Sequence, residues 1–144
     1  MAKSSSKDDY FNELKEWSKR KLEIIEKYLD GAVRILGSID VVYYVDGFAG
    51  PGRYDDGSNG SPVRAIELAQ RLHREGKPYQ LRCINVEEKP ERFANLDEAT
   101  RGAKGIVTNL SGEFNQYVDT IMAETGSKPA VFFLDPFGVE GIDW

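Results

Sequence analysis

Four acidic residues follow runs of residues that are typical of buried β-strands. Each run ends, directly or after a short turn, in one of these acids, which are Asp46, Glu87, Glu113 and Asp135. In a parallel sheet the carboxyl ends of all strands lie along one edge, and ligands bind at that edge in open α/β folds. An acidic residue there can also simply cap the next helix. Because four strands share the feature, the pattern favours a binding site.

The first of these strands opens into a glycine-rich loop. Val41–Val45 is apolar or aromatic throughout, and Asp46-Gly47-Phe48-Ala49-Gly50-Pro51-Gly52 follows it. Glycines allow positive φ and let a ligand approach the backbone closely. The loop is not Gly-x-Gly-x-x-Gly, and it lacks a lysine followed by serine or threonine, which excludes a phosphate-binding P-loop.

The acids beside this loop indicate which ligand it suits. Asp46 at the start of the loop suits an ammonium group, and Glu87 at the end of the second strand suits the two hydroxyls of a ribose. These features fit S-adenosylmethionine better than a dinucleotide, because that cofactor has an amino-acid end and a ribose but no phosphate. The predicted cofactor-binding residues of this region are Asp46, Gly47, Phe48, Gly50, Gly52 and Glu87.

Asp135-Pro136-Phe137-Gly138 is the most specific motif. It resembles the Asp-Pro-Pro-Tyr motif of methyltransferases that act on exocyclic amino groups of nucleobases, and its spelling is similar to that of the tRNA guanine-N2 dimethylating enzymes. An aromatic amine is a poor nucleophile because its lone pair is delocalised into the ring. Asp135 and the carbonyl of Pro136 would accept its N–H bonds, and Phe137 would stack on the base, so catalysis is mainly positioning and electrostatics. The alternative is a tight turn after a buried strand.

The remaining sequence supplies the elements that position these residues. We expect a disordered N-terminus over residues 1–9 and one α/β domain over residues 10–144, with a helix from Tyr10 to Leu36 first. Strands at 41–45, 81–86, 105–108 and 130–134 alternate with helices at 61–75, 90–100 and 115–124. This alternation predicts a Rossmann-like parallel sheet with strand order 3-2-1-4. Ser61-Pro62 has the sequence of a helix start, with serine as the N-cap.

Composition excludes several classes of protein. The net charge is −5, so the chain has no overall basic field for nucleic acid. One cysteine and one histidine make a zinc site improbable, and Cys83 fits a buried structural thiol. No apolar run is long enough to span a membrane, and no signal peptide is recognisable, so a cytoplasmic location is expected. The cationic residues of the first helix fit a solvated face better than a nucleic-acid or cofactor contact; they are Lys15, Lys19, Arg20, Lys21 and Lys27.

Several motifs together resemble the three-Cys-motif partner protein family. They are Trp17-Ser18-x-Arg20-Lys21, Tyr28-Leu29, Tyr44 to Tyr54, Gly60-Ser61-Pro62, Glu91-Arg92-Phe93 and Phe133 to Gly138. Members are bacterial or phage-associated, are similar to class I methyltransferases and occur beside a protein with a three-cysteine motif.

The resemblance implies a role for each motif. By it, Asp46 to Gly52 form the cofactor loop, Glu87 binds the ribose with Glu88 as a rival, Glu113 and Phe114 flank the adenine, and Asp135 to Gly138 line the acceptor site. A methyltransferase sheet of that class has seven strands. We therefore expect a sheet truncated after the fourth strand, whose exposed edge offers a route to self-association.

These observations lead to an S-adenosylmethionine-dependent methyltransferase that acts on an exocyclic amino group of a nucleobase in DNA or RNA. The alternative is a non-catalytic methyltransferase-fold subunit that binds a neighbouring three-Cys-motif protein. A nicotinamide-dependent oxidoreductase is a third hypothesis, and the missing third glycine of the loop argues against it. The sequence leaves open whether DNA, RNA or a smaller molecule is the substrate.

Overall fold

Strands and helices alternate after a long first helix. The computed structural model describes residues 5–37, 40–103 and 105–136. The helices are α1 (Ser5–Leu36), α2 (Ser61–Arg74), α3 (Pro90–Ala99) and α4 (Phe114–Thr125), with a short 3₁₀ turn at Arg101–Ala103. The strands are β1 (Val42–Asp46), β2 (Leu81–Glu87), β3 (Val107–Ser111) and β4 (Ala130–Phe133).

All four strands are parallel, in the order β3-β2-β1-β4, which confirms the predicted Rossmann-like sheet. Strand β1 pairs with β2 on one side and with β4 on the other, and all five of its residues are buried. The side chains of a strand with neighbours on both edges and helices on both faces are buried and therefore mostly apolar. The uninterrupted run at Val41–Val45 is therefore the sequence of the central strand.

Two helical layers cover the sheet. On one face, apolar residues of α1 and α2 pack against alternate residues of β1 and β2; they are Leu29, Val33, Ala65, Leu68, Leu72, Val42, Tyr44, Leu81 and Cys83. On the other face, Ile121 of α4 packs against the intervening residues Val41, Tyr43, Val45, Ile84 and Val86. The alternation follows from the two-residue period of a strand. Cys83 is buried as expected, and burial raises the pKa of its thiol to about 12.

Three features differ from the sequence prediction by more than a shift of one residue. Helix α1 begins at Ser5, so residues 5–9 are helical rather than disordered, since extending an existing helix is far easier than nucleating one. Strand β3 lies at Val107–Ser111, later than the predicted 105–108. Ser61 is not the N-cap of α2: that position is Gly60, and the Ser61 hydroxyl bonds to Asp46 instead.

Strand β4 lies at the end of the described sheet and pairs there with β1. Among the residues that the structure describes, no strand pairs with its outer edge. Phe132 in β4 and Leu134 just after it are 41% and 49% exposed. This edge strand therefore carries exposed apolar side chains, a combination that favours association with another strand. None of the helices in the described ranges is long and apolar enough to cross a bilayer.

Helix α1 is held to the sheet by its buried face, and this can be measured. Leu29 is 2% exposed, whereas Ile24 on the same helix is 66% exposed. We expect Leu29→Ala to lower the free energy of unfolding by about 2–4 kcal/mol, because it removes a buried side chain and leaves a cavity. Ile24→Ala is the matched control and should change stability by less than about 0.5 kcal/mol. Equal losses in urea denaturation would contradict the observed packing of α1.

Candidate functional site

The loop after β1 remains bonded to both neighbouring strands. Gly47 N–H donates to the Phe133 carbonyl at 3.1 Å, and Ala49 N–H donates to the Val86 carbonyl at 2.9 Å. Gly50 then takes a φ of 72°, a value that favours glycine. The loop therefore begins as a continuation of the sheet and turns sharply at its carboxyl edge.

Glu87 lies at the end of β2 and faces this loop. Its side chain accepts hydrogen bonds from Gly50 N–H at 2.8 Å and from Lys89 N–H at 3.2 Å. The residue is only 6% exposed, whereas Glu88 is exposed. Of the two rival acids, Glu87 is thus the one that contacts the glycine loop.

Asp46 is completely buried at the start of the loop. It accepts hydrogen bonds from the Ser61 hydroxyl and, at 3.4 Å each, from the Tyr44 hydroxyl and from Phe48 N–H. Burial raises its pKa to about 6; these three hydrogen bonds oppose the rise, and the charge of Glu87 adds to it. Asp46 therefore joins the end of β1 to the start of α2, and its contact with a cofactor ammonium stays a prediction.

Phe48 and Phe114 lie together above Gly47. Their ring centroids are 6.3 Å apart with the planes inclined at 38°. A Cβ at Gly47 would lie 2.5 Å from Leu134 Cδ2 and 2.9 Å from Phe114 Cδ2. Glycine is therefore required here because two side chains press on the backbone, and Phe114 contacts the loop from the start of α4.

Glu113 is an exposed residue that caps α4. It forms a capping box with Gln116: the Glu113 side chain accepts from the Gln116 N–H, and Gln116 Oε1 accepts from the Glu113 N–H at 3.0 Å. Helix capping, the simpler explanation for an acid after a strand, thus accounts for Glu113. Its predicted contact with an adenine stays a prediction.

Gly52 lies where the two ends of the longer loop that leads to α2 come together. Gly60 N–H donates to its carbonyl at 2.7 Å, and the residues between them fold into a turn in which Tyr54 N–H donates to Ser58 at 2.9 Å. The φ of Gly52 is 81°, and a Cβ there would lie 3.0 Å from Ala99 Cβ. Helix α3 therefore packs closely on the loop, which fixes the position of its glycines.

Asp135 lies two residues beyond β4, the strand whose last carbonyl, that of Phe133, accepts from Gly47 N–H. It is largely buried, and its carboxylate forms an ion pair with the ammonium of Lys21 on α1. Pro136 is exposed, and Phe137 lies outside the described residues. The sheet thus brings Asp46, Glu87 and Asp135 to one edge, with Glu113 at its end.

Sequence reasoning missed two features of this edge. Lys21 was assigned to a solvated helix face, but it is half-buried and bonded to Asp135. Asn85, which pairs in register with Asp46, is completely buried and donates to Asn109 Oδ1 at 3.0 Å. Its own Oδ1 has no hydrogen-bond partner among the described residues. The sequence did contain a signal for Asn85, since its amide interrupts an apolar run. A buried polar group of this kind needs hydrogen-bond partners.

Neither a scan of models of known protein families nor a search of curated proteins finds a match for this chain. The resemblance to the three-Cys-motif partner proteins therefore stays a prediction. The case for a function depends on the chemistry of the residues at the carboxyl edge of the sheet.

The buried carboxyl of Asp46 should make stability depend on pH. Its pKa rises from 3.8 to about 6 on folding, so the folded state retains a proton that the unfolded chain loses. The stabilisation is complete below pH 3.8 and disappears as the pH rises through 6; the full difference is about 3 kcal/mol. Asp46→Asn should remove this decline between pH 4 and pH 7. Denaturant titrations of both proteins measure it.

The exposed residue Asp119 provides the control. Asp119→Asn should retain the wild-type change in unfolding free energy between pH 4 and pH 7. If Asp46→Asn also retains it, the carboxyl of Asp46 is not buried as described.

Proposed function

We propose that this protein is an S-adenosylmethionine-dependent methyltransferase of the class I type that acts on an exocyclic amino group of a nucleobase in DNA or RNA. The observation that carries the proposal is the contact between the Glu87 carboxylate and Gly50 N–H. It places an acid from the tip of β2 against the glycine loop of β1. Asp135 follows β4, whose last residue, Phe133, accepts a hydrogen bond from Gly47 N–H at the start of that loop.

The chain's own residues would hold the cofactor as follows. Glu87 would accept hydrogen bonds from the two ribose hydroxyls, and Gly47 to Gly50 would allow the amino-acid end to approach the backbone. Phe114 beside Phe48 offers an aromatic surface for the adenine. The cofactor supplies an electrophilic methyl group on a sulfonium. Because the adjacent carboxylates are held by hydrogen bonds, they can counter that positive charge without reorganising.

The acceptor side of the site consists of Asp135 and Pro136. The Asp135 carboxylate and the Pro136 carbonyl would each accept one N–H of the amine, which directs its lone pair out of the ring. In the reaction the N–C bond forms as the C–S bond breaks, sulfur leaves as a neutral thioether, and nitrogen releases a proton to solvent. Asp135 and Pro136 thereby orient the amine and disperse its growing charge. A base in a duplex must first be flipped out.

Adjacent acids allow a matched test of cofactor binding. We expect Glu87→Gln to weaken S-adenosylmethionine binding about 10- to 100-fold, because a charged hydrogen bond contributes roughly 1.5–3 kcal/mol. The control Glu88→Gln makes the same change in charge one residue away, on an exposed side chain. Titration calorimetry measures both. Absence of saturable binding to the wild-type chain, or equal losses in the two variants, would refute the proposed site.

A second candidate is a non-catalytic subunit that binds another protein chain, such as a three-Cys-motif protein or a second copy of this one. The exposed apolar residue Phe132 of β4, whose outer edge is unpaired among the described residues, favours it. Such an edge can pair with a strand of another chain.

A charge at the edge of β4 tests this candidate. Phe132→Lys should shift any concentration-dependent oligomer toward the monomer in sedimentation velocity, because lysine on an edge strand opposes pairing. Thr120→Lys adds the same charge at an exposed position of α4 and should leave the distribution unchanged. An unaltered oligomer in the Phe132 variant would exclude the β4 edge as the interface.

A further inference from the structure

Helix α1 contributes a cation to the proposed acceptor site. The ammonium of Lys21 pairs with Oδ2 of Asp135, a residue 114 positions later in the chain. Their side chains are 35% and 11% exposed respectively. The pair is therefore partly shielded from water, which strengthens the interaction relative to a pair on the open surface.

Packing of the stretch of α1 that begins directly after Lys21 fixes the position of this lysine. The next residue, Leu22, and Leu29 two turns later are 4% and 2% exposed. Glu26 between them pairs with Arg64 of α2 at 3.2 Å. Because α1 is held against the sheet and α2 along this stretch, Lys21 is directed to Asp135 by the fold.

This pairing changes what Asp135 can bind. A lone carboxylate in a partly buried site attracts cations, and a protonated alkylamine is both cationic and without a nucleophilic lone pair. A nucleobase amine is neutral at the same pH. A carboxylate has several acceptor positions, so an ammonium on one oxygen does not exhaust its capacity to accept an N–H.

We infer that Lys21 is a specificity-determining residue of the acceptor site. Its ammonium cancels the charge of Asp135, so that the site accepts a neutral aromatic amine and repels an alkylammonium ion. This inference rests on the proposed methyltransferase function, in which Asp135 binds the acceptor amine. It assigns to α1 a part in substrate selection.

The test uses n-butylammonium as the probe, titrated by NMR at pH 7.5 into the full 144-residue chain saturated with S-adenosylmethionine. Lys21→Met should increase affinity for the probe at least about tenfold, because a like charge near the bound cation is removed. Lys21→Arg retains the charge and should bind the probe as weakly as the wild type. Lys27→Met removes a charge from an exposed position of the same helix and should also behave as the wild type.

A second variant guards against loss of folding, which circular dichroism monitors. Lys21→Gln retains a hydrogen-bond donor for Asp135 but carries no charge, and it should show the same gain as Lys21→Met. If the folded variants bind S-adenosylmethionine normally but gain no affinity for the probe, the inference is wrong and the proposed function stands. A gain in Lys27→Met equal to that in the Lys21 variants also overturns it, because the effect would then be a general one of net charge. If the wild type binds no S-adenosylmethionine, the proposed function and this inference both fail.

Discussion

The carboxylate of Glu87 connects the loops that follow two neighbouring strands, and the form of the candidate site depends on this connection. It accepts N–H groups from Gly50 after β1 and from Lys89 after β2. Hydrogen bonds to an ionised group are stronger than those between neutral groups. Because Glu87 is nearly buried, loss of either bond would leave a charge without compensation in a region of low dielectric. The sheet aligns the strand tips, and Glu87 then determines where the glycine loop lies.

Each acid at this edge is stabilised by a different partner, and the partner determines what the acid can do. Asp46 is completely buried and hydrogen-bonded to Ser61 and Tyr44, so its role is to hold the start of α2 to the end of β1. Glu113 is outside and caps a helix. Glu87 and Asp135 are 6% and 9% exposed, and their carboxylates are held by an N–H and by an ammonium respectively. Such groups have a fixed orientation, which catalytic electrostatics requires.

The sequence was most informative where local patterns decide the structure. The alternation of strand patterns with helix patterns along the sequence predicted the order of the strands in the sheet. The glycines near Gly50 predicted a loop with positive φ. It was least informative for partners far apart in the chain. Lys21 resembled the other lysines of a solvated helix, because its distinguishing contact comes from a residue after β4. Ser61 had the composition of an N-cap, but local propensity could not reveal that buried Asp46 would compete for its hydroxyl. The cost of leaving a buried carboxylate short of a donor outweighs the modest benefit of a cap.

Because of the position of Cys83, the reactivity of its thiol reports when the sheet becomes exposed to solvent. This thiol is the single cysteine of the sequence, and it lies on β2 opposite Tyr44 of the central strand. A reagent that modifies only thiolates can reach it only after α2 separates from the sheet, because burial both shields the sulfur and keeps it protonated. The rate of its alkylation therefore reports how often the strands beneath the glycine loop become accessible to solvent, without any introduced label.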